Sequence, residues 1–201
     1  MIAIIDYDAG NLKSVEKALI KVGAEPVVTR DADVILQADK VILPGVGAFG
    51  DAMEKLEHFG LVETIRKVVK KGTPLLGICL GLQLLFEYSE EKEGCKGLCL
   101  LKGGVKRIPD ATGLKVPHMG WNSLKVTEGA KLFANLPENP YVYFVHSYYL
   151  QAEESEIVAA TSEYGVTIHA SVEKDNIFAC QFHPEKSGET GLAILKNFVE
   201  L

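Results

Sequence analysis

A cysteine flanked by glycines is the feature of this sequence that most directly suggests chemistry. Cys79 lies at the centre of the run Gly77 to Gly81, after an apolar segment typical of a strand and before one typical of a helix. The pattern indicates a nucleophile elbow, a sharp turn whose glycines let strand and helix approach closely. The positive end of the helix would also favour a thiolate over a thiol. This pattern alone leaves open the alternative of a small core cysteine.

A histidine and a carboxylate form the second half of the pattern. His183 follows Cys79 by 104 residues and lies in the run Gln181 to Glu185. Because positions two apart in a strand share one face, we expect Glu185 to orient His183 while the imidazole addresses the thiol. A loop turn is the alternative for an isolated His-Pro-Glu sequence. Two matched halves at the ends of strands favour a triad of Cys79, His183 and Glu185.

Backbone donors near the nucleophile are expected to stabilise the oxyanion that forms when a thiolate attacks an acyl group. The N–H of Leu80, directly after Cys79, is the first candidate. A second donor could come from the turn Pro44 to Gly47, for which a plain turn between strand and helix is the alternative. One such donor contributes roughly 10² to 10³ in rate, whereas full ionisation of an ordinary thiol gains at most about thirtyfold at pH 7. Oxyanion stabilisation is therefore the larger expected effect.

Composition and charge exclude several classes of protein. The 201 residues are 47% hydrophobic and 24% charged, which favours one folded domain, residues 1–201, over a disordered chain. The net charge of −6 disfavours nucleic-acid binding. No apolar run reaches the ~18 residues of a membrane span, and we expect no secretory signal. We therefore expect a cytoplasmic protein that binds neither nucleic acid nor membrane.

The cysteines suggest neither a disulfide scaffold nor a metal centre. There are four of them, too few to staple a chain of this size. Cys95 and Cys99 have a spacing that occurs in zinc sites, but no second pair of ligands follows them. We expect no metal, no cofactor and a reducing environment.

The remaining sequence predicts the elements that must position these groups. The N-terminal half alternates strands and helices, beginning with the continuous apolar run Met1 to Tyr7, which is typical of a parallel strand covered on both faces. Helices are predicted from Phe49 to Lys71 and from Leu80 to Tyr88. The C-terminal half predicts short strands: Leu98 to Leu101, Ser123 to Val126, Tyr141 to Leu150, Ile157 to Tyr164, Val166 to Glu173 and Ile177 to Phe182. We expect a single-domain α/β fold whose central, mostly parallel sheet has flanking helices and an antiparallel extension.

The assembled motifs resemble the class I, or triad, glutamine amidotransferases over nearly the whole chain. A narrower resemblance is to the glutaminase subunits of imidazole glycerol phosphate synthases. The stretches that carry it are Asp6 to Asn11, Pro44 to Phe49, Gly77 to Glu87, Val116 to Asn122, Tyr143 to Tyr148 and Gln181 to Ser187. The Pro-His-Met-Gly-Trp-Asn element within Val116 to Asn122 is the most discriminating, because other triad glutaminases are not expected to contain it.

The resemblance implies an activity and a set of site residues. Cys79 would attack the side-chain amide of glutamine, releasing ammonia and then glutamate, with His183 moving protons and Glu185 orienting it. The N–H of Val46 would complete the oxyanion hole by reorientation of its peptide. The residues matching those that hold glutamine are Gly47, Gln83, Glu91, His146, Ser147 and Tyr148. Glu91 lies in an acidic stretch, so a solvated surface position is its alternative.

The resemblance also implies a partner. This would be a (β/α)8-barrel cyclase that forms a heterodimer with the chain, receives the ammonia through an internal passage and makes imidazole glycerol phosphate and AICAR in histidine biosynthesis. Residues matching the interface are Asn11, Pro117, Met119, Trp121 and Lys186. A core position is the alternative for Trp121. Two other functions stay open: a stand-alone thiol hydrolase and a noncatalytic binding subunit on the same scaffold.

Overall fold

The computed structural model describes residues 1–201 and contains one large sheet, two small sheets and six α-helices. The strands are β1 (Ile2–Ile5), β2 (Pro26–Thr29), β3 (Lys40–Gly45), β4 (Leu75–Cys79), β5 (Tyr88–Ser89), β6 (Gly103–Arg107), β7 (His118–Ser123), β8 (Lys125–Val126), β9 (Tyr141–His146), β10 (Tyr148–Ala152), β11 (Val158–Glu163), β12 (Thr167–Lys174) and β13 (Ile177–Cys180). The helices are α1 (Leu12–Lys21), α2 (Ala32–Gln37), α3 (Phe49–His58), α4 (Leu61–Lys70), α5 (Leu80–Leu84) and α6 (Gly188–Glu200). Three short 3₁₀ helices span Lys131–Phe133, Ser155–Ile157 and Pro184–Lys186.

The large sheet joins a parallel half to an antiparallel half. Its strand order is β2-β1-β3-β4-β13-β12-β11-β8. Strands β2 to β13 in that order run parallel, and β13, β12, β11 and β8 are joined antiparallel. This arrangement confirms the predicted α/β class with a mostly parallel sheet and an antiparallel extension. Strands β3, β4 and β13 are neighbours, so the residues that follow them meet at one edge of the sheet.

The apolar run of the first strand explains why the sheet is buried on both faces. Ala3 and Ile5 pack into a core of 28 buried residues that also takes in α2, α3, α4 and α5. Ile2 and Ile4 point the other way, into a core of 24 buried residues shared with α1 and α6. Each fully buried aliphatic side chain stabilises the fold by about 1.5–3 kcal/mol. The sheet that carries Cys79 is thus packed between two cores, one on each face.

The predicted helix from Phe49 to Lys71 is wrong as a single element. The structure divides it into α3 and α4, because Gly60 adopts a left-handed backbone conformation with φ +66°. The predicted helix from Leu80 to Tyr88 is also shorter, since α5 ends at Leu84 and Tyr88 begins β5. The first difference is an interior break, since α4 still reaches Lys70, and the second is an early end; both predicted helices begin at the predicted residue.

The strand predicted from Leu98 to Leu101 does not form. These residues instead donate backbone hydrogen bonds to the last residue of α5 and the residue after it, with Leu98 N bonded to Leu84 O and Leu100 N to Leu85 O. The strand predicted from Tyr141 to Leu150 is interrupted at Ser147. Its first half pairs with β7 in one small sheet and its second half pairs with β6 in the other. This interruption brings the segment around Ser147 to the wall of the candidate site.

Candidate active site

Cys79 occupies a strained turn between β4 and α5. Its φ of +56° and ψ of −109° lie in a region that residues with a side chain rarely adopt. A Cβ on Gly77 would lie 2.9 Å from the carbonyl carbon of Gly81, and a Cβ on Gly81 would collide with the carbonyl oxygen of Leu43. The two flanking glycines are therefore required by close packing of strand, helix and neighbouring strand, as the elbow pattern predicts.

His183 and Glu185 form a buried pair just beyond the end of β13. Nδ1 of His183 lies 2.8 Å from Oε1 of Glu185, and both side chains are almost fully excluded from solvent. The predicted contact exists, but its predicted cause is wrong. Glu185 belongs to the 3₁₀ helix Pro184–Lys186, so a tight turn, and not strand alternation, brings its carboxylate back to the imidazole. Pro184 occupies the first position of that turn.

The surroundings of His183 favour its charged form. Burial lowers its pKa, but the interactions with Cys79 and with the carboxylate of Glu185 outweigh burial and raise the pKa to about 10. The second ring nitrogen, Nε2, is buried and forms no hydrogen bond of ordinary geometry. The imidazolium is therefore the form of His183 that this arrangement stabilises, and a cationic imidazole beside a cysteine is the setting in which a cysteine acts as a nucleophile.

A pocket of about 440 Å³ opens beside Cys79. It is lined by residues from the ends of β3, β4 and β9 and from the loops around them: Val46, Gly47, Cys79, Leu80, Gln83, Glu91, Pro117, Val145, His146, Ser147, Tyr148, His183 and Lys186. Every residue predicted for glutamine binding or the oxyanion hole lines this pocket. The sequence interpretation missed Val145. Glu185 lies behind His183, outside the lining.

Gln83 uses both of its amide hydrogens within the protein. Its Nε2 donates to the carbonyl oxygen of Tyr148 and to Oε1 of Gln181, each at 3.0 Å. The side chain is buried, so these bonds satisfy a group that would otherwise be costly to remove from water. What Gln83 can offer a ligand is therefore its amide oxygen, an acceptor.

Glu91 is anchored to the start of a helix. Its Oε2 accepts a hydrogen bond of 2.7 Å from the backbone N–H of Phe49, the first residue of α3. A carboxylate is stabilised there by the unpaired N–H groups and by the helix dipole. Glu91 is half-buried and lines the pocket, so the alternative of a fully solvated surface position is wrong.

A pair of buried histidines supports the opposite wall. Nδ1 of His146 lies 2.9 Å from the carbonyl oxygen of Tyr148, and its Nε2 lies 3.0 Å from Nδ1 of His118. A carbonyl oxygen only accepts hydrogen bonds, so Nδ1 of His146 carries the hydrogen and its Nε2 is an acceptor. Nδ1 of His118 must then carry a hydrogen that it donates to Nε2 of His146. Nε2 of His118 then accepts from Nδ2 of Asn122 at 3.4 Å. Burial lowers the pKa of His118 to about 4 and that of His146 to about 3, so both stay neutral.

The sequence interpretation missed His118 and Gln181 as parts of this site. His118 pairs directly with His146 in the register of β7 and β9 and stacks on the ring of Tyr164 at 3.8 Å. Gln181 is fully buried next to Cys79. Both placements depend on strand pairing between distant segments, which no local spacing shows.

The residues predicted for a partner interface are all exposed. Met119 and Trp121 on β7 are 62% and 56% exposed, so the core alternative for Trp121 is wrong. Pro117 and Lys186 are exposed and also line the pocket. Asn11 is exposed immediately before α1, where its side chain makes no capping hydrogen bond. Trp121 approaches Gly188 at the start of α6, which places β7 next to the turn that carries Lys186.

No group of three or more His, Cys, Asp or Glu side chains has an arrangement that could hold a metal ion. All four cysteines are unpaired, including Cys95 and Cys99. No helix has the length and apolar character that crossing a membrane would require.

The fold and the site define a class of protein, and comparison with known proteins identifies it. Residues 3–201 match the family described as glutamine amidotransferase class-I. The chain belongs to this family, and the resemblance that the motifs carry is confirmed.

Individual relatives show which members of the family the chain is similar to. Over 100% of its length the chain is 54% identical to the imidazole glycerol phosphate synthase subunit HisH of Moorella thermoacetica, of which it covers 94%. It is 52% identical to the subunit of the same name from Methanocaldococcus jannaschii, with 100% of both chains covered. Among solved structures, a glutamine amidotransferase superposes with a TM-score of 0.77 at 21% identity, covering 100% of this chain and 98% of the other. That similarity shows the fold.

Proposed function

We propose that residues 1–201 act as one glutaminase domain in which Cys79, His183 and Glu185 hydrolyse glutamine. The observation that carries this proposal is the buried His183–Glu185 pair beside a cysteine in a strained strand-to-helix turn. The raised pKa of His183 supports an imidazolium that can give a proton to a leaving amine. Membership of the class-I glutamine amidotransferases supports glutamine as the amide donor.

The proposed reaction has two halves. The Cys79 thiolate attacks the side-chain amide carbon, and the His183 imidazolium gives its proton to the amide nitrogen, which leaves as ammonia. The resulting γ-glutamyl thioester is then attacked by water, from which neutral His183 takes a proton. Collapse of this second intermediate releases glutamate and restores the thiolate and the imidazolium. Glu185 keeps Nδ1 of His183 protonated, so that Nε2 faces the reacting atoms.

Two backbone N–H groups are proposed to hold the oxyanion. Leu80 is the first residue of α5, where N–H groups lack intrahelical partners. Val46 lies across the pocket, just after the end of β3. A donor is worth roughly 10² to 10³ in rate, so movement of one peptide would switch the enzyme between slow and fast states.

The pocket walls suit the two ends of glutamine differently. Half-buried Glu91 offers a carboxylate oxygen, which suits the α-ammonium of an amino acid. Gln83 offers its amide oxygen, while Gly47 and the segment His146 to Tyr148 complete the wall. The volume of about 440 Å³ is ample for one amino acid.

We propose that a (β/α)8-barrel cyclase docks on the exposed face formed by Asn11, Pro117, Met119, Trp121 and Lys186, giving a heterodimer. Exposed aromatic and methionine side chains are typical of docking surfaces. Pro117 and Lys186 line the pocket as well, so a partner seated there would close it and receive the ammonia. The relatives named as imidazole glycerol phosphate synthase subunits support this partner and its place in histidine biosynthesis.

Glutamate release from the chain alone and with the cyclase plus its ribonucleotide tests the function. We expect slow hydrolysis by the chain alone and a large increase with the loaded partner. Cys79→Ala should abolish both rates, whereas Cys99→Ala, which alters an exposed cysteine outside the pocket, should leave both unchanged. Fast turnover without a partner would instead support a stand-alone thiol hydrolase, and no turnover in either condition would support a binding subunit.

A proline at position 46 tests the second oxyanion donor. Val46→Pro removes the backbone N–H, whereas Val46→Ala keeps it and shortens a side chain that is already exposed. We expect Val46→Pro to lower partner-stimulated kcat by roughly 10² to 10³ and Val46→Ala to change it less than about threefold. Equal kcat values for the two variants would remove Val46 from the oxyanion hole.

A further inference from the structure

Gln181 contacts the sulfur of Cys79. Its Nε2 donates to Sγ at 3.8 Å, and its Oε1 accepts from Nε2 of Gln83 at 3.0 Å. The Gln181 side chain is a neutral amide that is completely excluded from solvent, and it is not part of the predicted triad. A buried amide whose two ends are both engaged has one orientation, and that orientation is set by its partners.

The chain of partners begins at a group that can only accept. The carbonyl oxygen of Tyr148 lies 3.0 Å from the amide of Gln83, so the nitrogen of that amide must face it. The same nitrogen faces Gln181, which must therefore present its oxygen to Gln83. The opposite end of the Gln181 amide is then NH₂, and this is the end that lies at the sulfur of Cys79.

The sheet explains how this residue reaches the nucleophile. Strand β13 lies parallel to β4, with Cys180 paired to Ile78, so Gln181 is level with Cys79. Gln181 and His183 are two positions apart just beyond the end of β13, and both side chains interact with Cys79. The same segment therefore supplies a neutral N–H donor and an ionisable imidazole to one sulfur atom.

We propose that Gln181 is a positioning residue that stabilises the Cys79 thiolate through its N–H group, with Gln83 fixing the orientation of its amide. This inference rests on the proposed role of Cys79 as the nucleophile. His183 loses its proton when the amine leaves, whereas the Gln181 donor is permanent. It therefore remains beside the sulfur when the thioester breaks and the thiolate forms again.

Two substitutions separate this role from simple packing. Gln181→Glu keeps the shape and the oxygen that Gln83 needs but replaces the N–H donor at sulfur by a carboxylate oxygen. Gln181→Met keeps much of the volume and removes both polar groups. Gln151→Glu, on the exposed residue of β10, is the control for an added carboxylate. Thermal unfolding of each variant reports its folding separately.

The readouts are alkylation of Cys79 by iodoacetamide, resolved by peptide mass spectrometry, and thiolate absorbance at 240 nm relative to the matching Cys79→Ala proteins. At pH 8 we expect Gln181→Glu to slow alkylation of Cys79 by about tenfold and Gln181→Met by about threefold, with a parallel loss of absorbance. Gln151→Glu should match the wild type, and alkylation of exposed Cys99 should be equal in all the proteins.

The two proposals fail in different ways. If Cys79 of the wild type reacts no faster than Cys99, the proposed nucleophile is wrong and this inference falls with it. If Cys79 reacts fast in the wild type and equally fast in folded Gln181→Glu and Gln181→Met, the nucleophile stands and the role of Gln181 is overturned. Slower alkylation with undiminished thiolate absorbance also overturns it, because that result would indicate an effect on access.

Discussion

Three buried histidines lie around one pocket, and they carry opposite charge preferences. His183, His118 and His146 are 2%, 3% and 7% exposed, so their burial is nearly the same. Yet the pKa of His183 is raised to about 10, whereas the pKa of His118 is lowered to about 4 and that of His146 to about 3. Burial lowers the pKa in all three cases. The difference must come from what each ring contacts.

The contacts divide into charged and neutral sets. His183 contacts the carboxylate of Glu185 and lies beside Cys79, two groups whose charged forms stabilise an imidazolium. His118 and His146 contact each other, a backbone carbonyl and an amide, none of which has a negative charge. The contacts of His183 thus favour its charged form, whereas those of His118 and His146 favour a neutral pair beside the pocket wall.

Removing the carboxylate of Glu185 should have the largest effect of the changes considered, a loss of activity, because His183 would then resemble the two neutral histidines. Glu185→Gln should lower the pKa of His183 and reduce partner-stimulated kcat by about 10²-fold or more, with a smaller effect on KM. The measurement is the rate of glutamate release against glutamine concentration and pH. The buried Oε2 of Glu185 has no hydrogen-bond partner, so an amide nitrogen there adds some loss of stability.

Glu189→Gln provides the matched control. Glu189 lies in the first turn of α6, close in sequence to Glu185, but its side chain is exposed and its ion pair with Lys21 is long, at 3.7 Å. Its substitution should leave kcat and stability unchanged, since exposed ion pairs contribute little. A kcat within about threefold of wild type for Glu185→Gln would contradict the role assigned to the carboxylate.

The sequence predicted the order of elements well and their ends less well. Continuous apolar runs correctly gave the parallel strands, because such strands are buried on both faces. The break between α3 and α4 was missed, although Gly60 inside a helical pattern was its local signal. Strand β6 was missed because it begins with two glycines. The second, Gly104, lies against the ring of Tyr88, where any side chain would collide.

Some residues of the candidate site can be predicted from a short motif, whereas others depend on contacts between distant segments of the chain. Cys79 and His183 were predictable because each lies in a short motif whose residue types have a chemical reason. His118 was not, since its role depends on pairing between β7 and β9. Gln181 lies in the same short motif as His183, but its contact with Cys79 depends on the pairing of β13 with β4.

Lowering the pH should reduce the stability that the neutral pair His118 and His146 gives the fold. We expect this effect to be smaller than that of Glu185→Gln and larger than that of adding a carboxylate to the pair. The folded-state pKa values of about 4 for His118 and about 3 for His146 lie below the ordinary value of 6.5, so the unfolded chain binds protons first as the pH falls. Their contribution to stability is complete above about pH 6.5 and is lost as the pH falls toward 4. His118→Phe removes one titrating ring and keeps an aromatic ring between Phe144 and Tyr164.

The free energy of unfolding, measured by urea denaturation at pH 7 and pH 4.5, tests this sign. His118→Phe should cost about 1–3 kcal/mol at pH 7, because it leaves polar partners without hydrogen bonds. The deficit should narrow by on the order of 2 kcal/mol at pH 4.5. His58→Gln, on an exposed histidine, should show the wild-type pH dependence. A deficit that is constant across pH would mean that His118 does not titrate differently in the folded and unfolded states.

The smallest expected effect comes from giving the neutral pair a carboxylate of its own. Asn122→Asp places a negative charge near Nε2 of His118, where the amide nitrogen of Asn122 now lies at 3.4 Å, and should raise the pKa of His118 by about one unit. The amide also donates to the carbonyl oxygen of Glu163 at 2.9 Å, so its loss should cost about 1 kcal/mol at pH 8. Because the imidazolium would then gain a partner, this deficit should shrink or reverse at pH 5. NMR titration of the His118 ring measures the shift directly, and an unchanged pKa would show that a carboxylate partner alone does not create the difference between His183 and the other two histidines.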